Sequence, residues 1–233
     1  MNIVITGASS GFGKAIAKKF AIPGNQLWLC SRNEVKLYQA LEELVRDYPD
    51  AQIKARPFDL SKKEGAVGFG NWVLSNSVET DVLVNNAGLF LPGSVESEED
   101  GVLEKMIETN LYSAYHLTRI LLPAMVKAKQ GLIVNICSIA SMQAYKNGGA
   151  YSISKFALAG FSRNLREEMK PKGIKVTAIY PGASYTGSWE GSGIERSRFM
   201  EAEDIASTIF ALTQLSPGAV VEDIVMRPQL GDI

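Results

Sequence analysis

Two kinds of hydrophobic pattern alternate along the chain. Short runs that read as strands fall near 2–6, 26–30, 52–57, 81–84, 131–137, 174–180 and 219–225, and longer stretches with apolar residues at helical spacing lie between them. After the second run, Leu37, Leu41, Leu44, Val45 and Tyr48 share one helix face, while Glu42, Glu43, Arg46 and Asp47 fall off it. One side of that helix is expected to pack on a sheet. Val82-Leu83-Val84 and Leu132-Ile133-Val134 are apolar throughout, as strands covered on both faces require. The expected class is α/β: a doubly wound parallel sheet of about seven strands with helices on both faces. No linker interrupts it, so residues 1–233 read as one domain. Residues 186–200 break the rhythm with Gly187, Gly191, Gly193 and several hydroxyl side chains, and are expected to form a mobile flap.

Charge narrows the partners. Twenty-four Lys and Arg stand against 25 Asp and Glu, so there is no broad positive field for nucleic acid or an anionic membrane. No stretch nears the roughly 18 apolar residues that span a bilayer, and Met1 leads straight into Ile3-Val4-Ile5 without a basic segment. A soluble, uncleaved, cytoplasmic protein is expected. Cys30 and Cys137 each end an apolar run and read as buried thiols. No His/Cys/Asp cluster has metal-ligand spacing, so no metal is expected, and the lone His116 reads as structural.

The first strand runs into Thr6-Gly7-Ala8-Ser9-Ser10-Gly11-Phe12-Gly13. Glycines at 7, 11 and 13 permit a tight turn and close backbone approach, and a helix starting there aims its first amides at whatever sits in the loop. Ser9, Ser10, Gly11, Phe12 and Gly13 would thus face a pyrophosphate, as in a Rossmann-type site. After the second strand, Cys30-Ser31-Arg32-Asn33 lacks the acid that binds a ribose 2′-hydroxyl, and Arg32 offers a guanidinium for a 2′-phosphate instead. NADP(H) is the expected cofactor.

Tyr151 and Lys155 stand one helical turn apart on one face. An ammonium beside a phenol favours phenolate and moves the group toward a working pH. Ser138 follows the strand ending at Cys137, so its hydroxyl is expected at the carboxyl edge of the sheet.

The T-G-x-x-x-G-x-G turn, Asn85-Asn86-Ala87-Gly88, Ser138, the Tyr-x-x-x-Lys pair and Pro181-Gly182-Ala183-Ser184-Tyr185-Thr186 occur in an order that resembles the short-chain dehydrogenase/reductase family. The resemblance covers nearly the whole chain. It implies that Tyr151 is the general acid in reduction, that Ser138 polarises the carbonyl and that Lys155 tunes the phenol and binds the nicotinamide ribose. It makes Asn110 the holder of a proton-relay water. It also implies that Asp59 and Leu60 contact the adenine, that Asn86, Ala87 and Gly88 pass the adenosine ribose, and that Pro181, Gly182, Ser184 and Thr186 meet the nicotinamide. Two departures are Ser10, where many NADPH enzymes carry a basic residue, and Ser184, where a branched aliphatic is common. Asp59 with Ser61 also fits a helix cap.

Tyr145 and Trp189 are the expected substrate contacts beside Ser138 and Tyr151, with Trp189 equally able to serve as an anchor for the flap. The 181–189 segment and the ending from Val221 to Ile233 are most similar to bacterial sepiapterin reductases, then to 3-hydroxy-acid (serine-type) dehydrogenases. By that resemblance one of Glu222, Asp223 and Asp232 anchors the substrate. The expected activity is reduction of a small carbonyl compound such as sepiapterin or a related diketone. The alternatives are a 3-hydroxy-acid dehydrogenase or 3-oxoacyl reductase, and a non-catalytic NADPH-binding regulator. The family resemblance also implies association through the helices carrying Asn110 and Tyr151, as a homodimer or homotetramer.

Overall fold

The computed structural model describes residues 1–77, 79–185, 187 and 193–232. Among them seven strands form one sheet: β1 (Asn2–Thr6), β2 (Gln26–Ser31), β3 (Gln52–Pro57), β4 (Val82–Asn85), β5 (Gly131–Ile136), β6 (Ile174–Pro181) and β7 (Asp223–Met226). All pairs are parallel, in the order β3-β2-β1-β4-β5-β6-β7. The chain winds outward in one direction from β1 and in the other from β4, which opens a crevice at the carboxyl ends of these two strands. The expected doubly wound architecture is borne out.

The helices are α1 (Gly11–Phe20), α2 (Glu34–Asp47), α3 (Lys63–Asn76), α4 (Val102–Ile107), α5 (Ser113–Ala128), α6 (Gly149–Met169) and α7 (Ala202–Thr213). Alternate side chains of the strands reach opposite layers, which explains the unbroken apolar runs. Ile3, Ile5, Leu27 and Leu29 pack under α1, α2 and α7. Val4, Trp28, Leu83 and Ile133 pack under α3, α5 and α6. Burying each such side chain is worth about 1.5–3 kcal/mol.

Two local expectations shift. On α2 the buried seam runs through Leu37, Ala40 and Leu44, and Val45 is exposed. Ala40, too small to register as a hydrophobic anchor in the sequence, lies on the buried seam in place of Val45. The last strand begins at Asp223 rather than near 219. Residues 219–222 leave a turn closed by Ala219 N donating to Ser216 O, and their carbonyls are caught individually. Thr177 Oγ1 donates to Val221 O and Ala178 N to Glu222 O before the ladder starts.

Thr186, Trp189 and the rest of 188–192 lie outside the described residues. The described end of the expected flap is anchored rather than loose. Met200 N donates to Ala183 O at 3.1 Å, Tyr185 N donates to Met200 O at 2.8 Å, and Arg196 pairs with Glu201 at 2.9 Å. Cys30 and Cys137 are free and buried. Among the described residues no helix is long and apolar enough to cross a membrane.

Candidate functional site

Thr6, the last residue of β1, closes the seam between the glycine turn and the segment after β4. Its hydroxyl donates to Val84 O and accepts from the amides of Asn86, at 2.9 Å, and Ala87, at 2.8 Å. Asn86 answers with its side chain, Nδ2 donating to Thr6 O at 2.8 Å and Gly7 O at 3.2 Å. Gly7 and Gly11 have φ of 65° and 51°, the left-handed region that glycine enters without strain. A Cβ at Gly13 would collide with the Gly7 carbonyl, so this position admits α1 to the loop only because it lacks one.

Ser10 stands at the N-cap of α1 but its side chain caps nothing, which leaves the first-turn amides facing the loop. That cradle fits a pyrophosphate. Ser9 Oγ lies 2.9 Å from Ser31 Oγ, tying the loop to the end of β2. Arg32, next along, is exposed and makes no ion pair or hydrogen bond among the described residues. Asp59 is not a helix cap: α3 starts at Lys63 behind an N-cap at Lys62, and Asp59 Oδ1 instead accepts from Ser61 N and Oγ. The Leu60 side chain belongs to the core under α3 and α5, so only its backbone is left for a ligand.

A cavity of about 390 Å³ opens at the carboxyl ends of β4, β5 and β6. Ser138, Tyr151 and Lys155 all line it, as do Phe12, Asn86, Gly88, Tyr145, Pro181, Gly182 and Ser184. Ser138 follows β5 and caps a short turn, its Oγ accepting from Ala140 N while Ser141 Oγ accepts from Ser138 N. Tyr151 lies in the first turn of α6, its phenol sharing the cavity with the Ser138 hydroxyl, which acts on its pKa. Lys155, one turn on, is buried and donates to Ile136 O at 2.8 Å.

The electrostatics differ from the sequence expectation in one respect. Burial raises the Tyr151 phenol above its ordinary value, the Ser138 hydroxyl opposes this, and nearby Cys137 adds to it. Burial also pushes Lys155 down to about 8, with Cys137 acting the other way. The expected lowering of the phenol by Lys155 is not found: burial dominates, and the ammonium, 5.9 Å from the tyrosine ring centre, donates to a β5 carbonyl.

Asn110 does not line the cavity directly. It sits where the backbone between α4 and α5 widens into a π turn, Glu108–Tyr112. Such turns re-aim one side chain. Asn110 Nδ2 donates to Ser154 Oγ at 2.8 Å, and Ser154 Oγ donates to Tyr151 O. Gly88 lies between Asn110 and Lys155; a Cβ there would touch Oδ1 at 3.4 Å and Nζ at 3.7 Å. Ser184 is buried, with Oγ donating to Gly182 O at 3.3 Å. His116 is packed against the rings of Tyr112 and Tyr115, and burial lowers its pKa.

Three groups escaped the sequence reading. Leu89 and Phe90 line the cavity, and the Phe90 ring meets Tyr151 edge-on at 4.8 Å. Thr6 was visible only as the first letter of the glycine motif, and nothing in sequence spacing links it to Asn86. Of the three C-terminal acids, Asp232 lines the cavity and pairs with Arg227. Glu222 pairs with Arg166 on the outside, and Asp223 accepts from Tyr180 Oη.

Residues 1–196 match the short chain dehydrogenase family model. An uncharacterized oxidoreductase of Staphylococcus epidermidis is 31% identical over 97% of this chain and 96% of its own length. The alcohol dehydrogenase of the archaeon Thermococcus sibiricus, solved with 5-hydroxy-NADP, superposes with a TM-score of 0.90 at 27% identity, covering 100% of this chain and 98% of that one. A serine dehydrogenase solved with NADP⁺ gives 0.90 at 26%, covering 100% and 97%.

Proposed function

Because the chain belongs to the short chain dehydrogenase family, and so to a family of oxidoreductases, we propose that it is an NADP(H)-dependent reductase of small carbonyl compounds. The observation that carries this is the convergence of Ser138, Tyr151 and Lys155 on one cavity beside a glycine turn whose amides are free to meet phosphate. NADPH, when bound, supplies hydride to the carbonyl carbon.

Every other step is the work of this chain. Tyr151, held protonated by burial, gives its proton to the carbonyl oxygen. Ser138 donates a hydrogen bond to the same oxygen and draws charge onto it. Lys155 offers an ammonium to the nicotinamide ribose and, at short range, favours the phenolate left after transfer. Asn110 holds the helix turn beneath Ser154 and Tyr151, and is the residue to which a relay water would bind. Arg32 receives the 2′-phosphate, Gly7 to Gly13 the pyrophosphate, Asp59 and the Leu60 backbone the adenine, and Pro181 to Thr186 the carboxamide.

For the substrate we favour a neutral compound such as sepiapterin or a related diketone: no arginine is among the described residues lining the cavity, and Asp232, the acid that lines it, is already paired with Arg227. The serine dehydrogenase neighbour keeps the 3-hydroxy-acid reading as the second choice. A regulator without turnover would have no use for a buried lysine one helical turn from a protonated phenol on the same cavity.

The test is loss of reduced-nicotinamide absorbance with sepiapterin, a vicinal diketone and a 3-oxoacyl thioester, and its gain with serine and NADP⁺. Turnover of the first two alone supports the pterin-like reading. Turnover of the thioester or serine alone moves the substrate and keeps the mechanism. Tight NADPH binding with no turnover, or Tyr151→Phe with full turnover, sinks the reductase assignment.

A further inference from the structure

The loop after β4 lines the cavity with Leu89 and Phe90 and meets the first turn of the helix that carries Tyr151. Glu98, in that loop, accepts from the amide of Ala150 through both carboxylate oxygens, at 2.8 and 3.2 Å. Ala150 is fully buried and immediately precedes Tyr151. Its amide belongs to the first turn of α6, where no intrahelical acceptor exists, and the N-cap residue Gly148 contributes no side chain. Without Glu98 that donor is stranded in the interior.

The surrounding residues are shaped around this carboxylate. A Cβ on Gly149, whose φ is 25°, would run into Glu98 Oε1 and the Gly93 carbonyl. A Cβ on Gly93 would come within 2.6 Å of Glu98 Cγ. Gly93 N donates to Asn147 O, and Ser97 N and Glu98 N both donate to Ser94 O, which holds Glu98 in place. The same loop carries Leu89 and Phe90, with Phe90 against the Tyr151 ring. The helix start and the cavity wall therefore meet twice, through the carboxylate on one side of Tyr151 and through an aromatic contact on the other.

We propose that Glu98 is a positioning residue for the reaction: it locks the first turn of α6 to the loop wall, so that the Tyr151 hydroxyl and the Phe90 wall are set as one unit. The inference rests on the reductase reading for its kinetic consequence, but not for its structural one. A charged acceptor on a buried amide is the strong kind of hydrogen bond, and a displacement of about 1 Å at the proton donor costs on the order of 100-fold in rate.

The experiment pairs Glu98→Ala with Glu98→Gln, which keeps one acceptor oxygen. Hydrogen exchange on the nucleotide-free protein should show faster exchange in Glu98→Ala at residues 148–152 and at 89–93 together, with β1 to β3 unchanged. In turnover, Glu98→Ala should lose at least about tenfold in kcat, with the NADPH Kd unaltered, and Glu98→Gln should recover most of it. Wild-type exchange in both segments, or exchange that rises at 148–152 alone, overturns the lock. A kcat that stays at the wild-type level in Glu98→Ala overturns the positioning role, as does a loss of NADPH binding in step with kcat. If the wild type itself reduces no carbonyl, the reductase reading fails, and the exchange experiment still decides whether Glu98 joins the two segments.

Discussion

Asn110 grips the backbone of Leu89 from both sides: Leu89 N donates to Oδ1 at 2.6 Å, and Nδ2 donates back to Leu89 O at 3.0 Å. A side chain from the π turn thereby replaces the strand neighbour that Leu89 loses where β4 ends. The grip fixes the loop that carries Phe90, and Nδ2 passes the same constraint to Ser154.

Asn110→Ala should therefore impair both folding and turnover. It removes the partners of a part-buried amide and carbonyl, each costing up to about 1–3 kcal/mol. We expect a melting temperature several degrees lower by calorimetry and kcat reduced about tenfold or more, with NADPH affinity changed far less. A variant with wild-type kcat and a lowered melting temperature would confine Asn110 to structure.

Arg32→Ala should separate the two nicotinamide cofactors. With no competing carboxylate, Arg32 is free to meet a 2′-phosphate, and a charge-assisted bond is worth about 1.5–3 kcal/mol. The Kd for NADPH should rise about tenfold or more while that for NADH stays level, measured by nucleotide fluorescence. Equal loss for both nucleotides would place Arg32 outside the phosphate site.

The lysine gives a pH signature. Its folded value of about 8 lies below its ordinary value, so between these two pH values the unfolded chain holds the proton that the folded chain has released. Stability contributed by Lys155 accordingly rises as pH increases above about 8, and is lost below it. Cys30 and Cys137 act oppositely, since burial keeps their thiols protonated after the unfolded ones ionise. The clean measurement is thus a difference: the nucleotide-free wild type should gain on Lys155→Met in chemical denaturation between about pH 8 and 10.5, the span of the two lysine values. A constant gap would mean that Lys155 is no less basic than a free lysine.

The outer faces of α5 and α6 should hold two copies together. Tyr112 and Tyr115 are exposed along a groove between these helices, and Ile153 and Phe156 are exposed on α6. Apolar side chains grouped in this way mark contact surfaces. Ile153→Glu should convert a homodimer or homotetramer to a smaller species in sedimentation, with NADPH binding retained. An unchanged sedimentation profile would put the interface elsewhere.

The inner strands were legible because strands buried on both faces are apolar at every position, as Val82 to Val84 are. The glycine turn, Ser138, Tyr151 and Lys155 were legible because their spacing is local: each sits at the end of a strand or on one helical turn. What escaped depends on contacts between distant segments. Glu98 is 52 residues from the amide it holds, and Thr6 is 80 residues from Asn86. Neither has a neighbour in sequence that hints at its partner. Val45 was misplaced for a related reason, since apolar periodicity cannot tell which of two adjacent rows faces the sheet when the true row includes an alanine.

The Thr6 hydroxyl bears on affinity. It is saturated, with one donor and two acceptor bonds all spent on the seam between the glycine turn and the segment after β4. That half of the cleft is preorganised, so an entering dinucleotide pays little to order it. The affinity for a dinucleotide should accordingly be carried by contacts already in place rather than by closure of this seam.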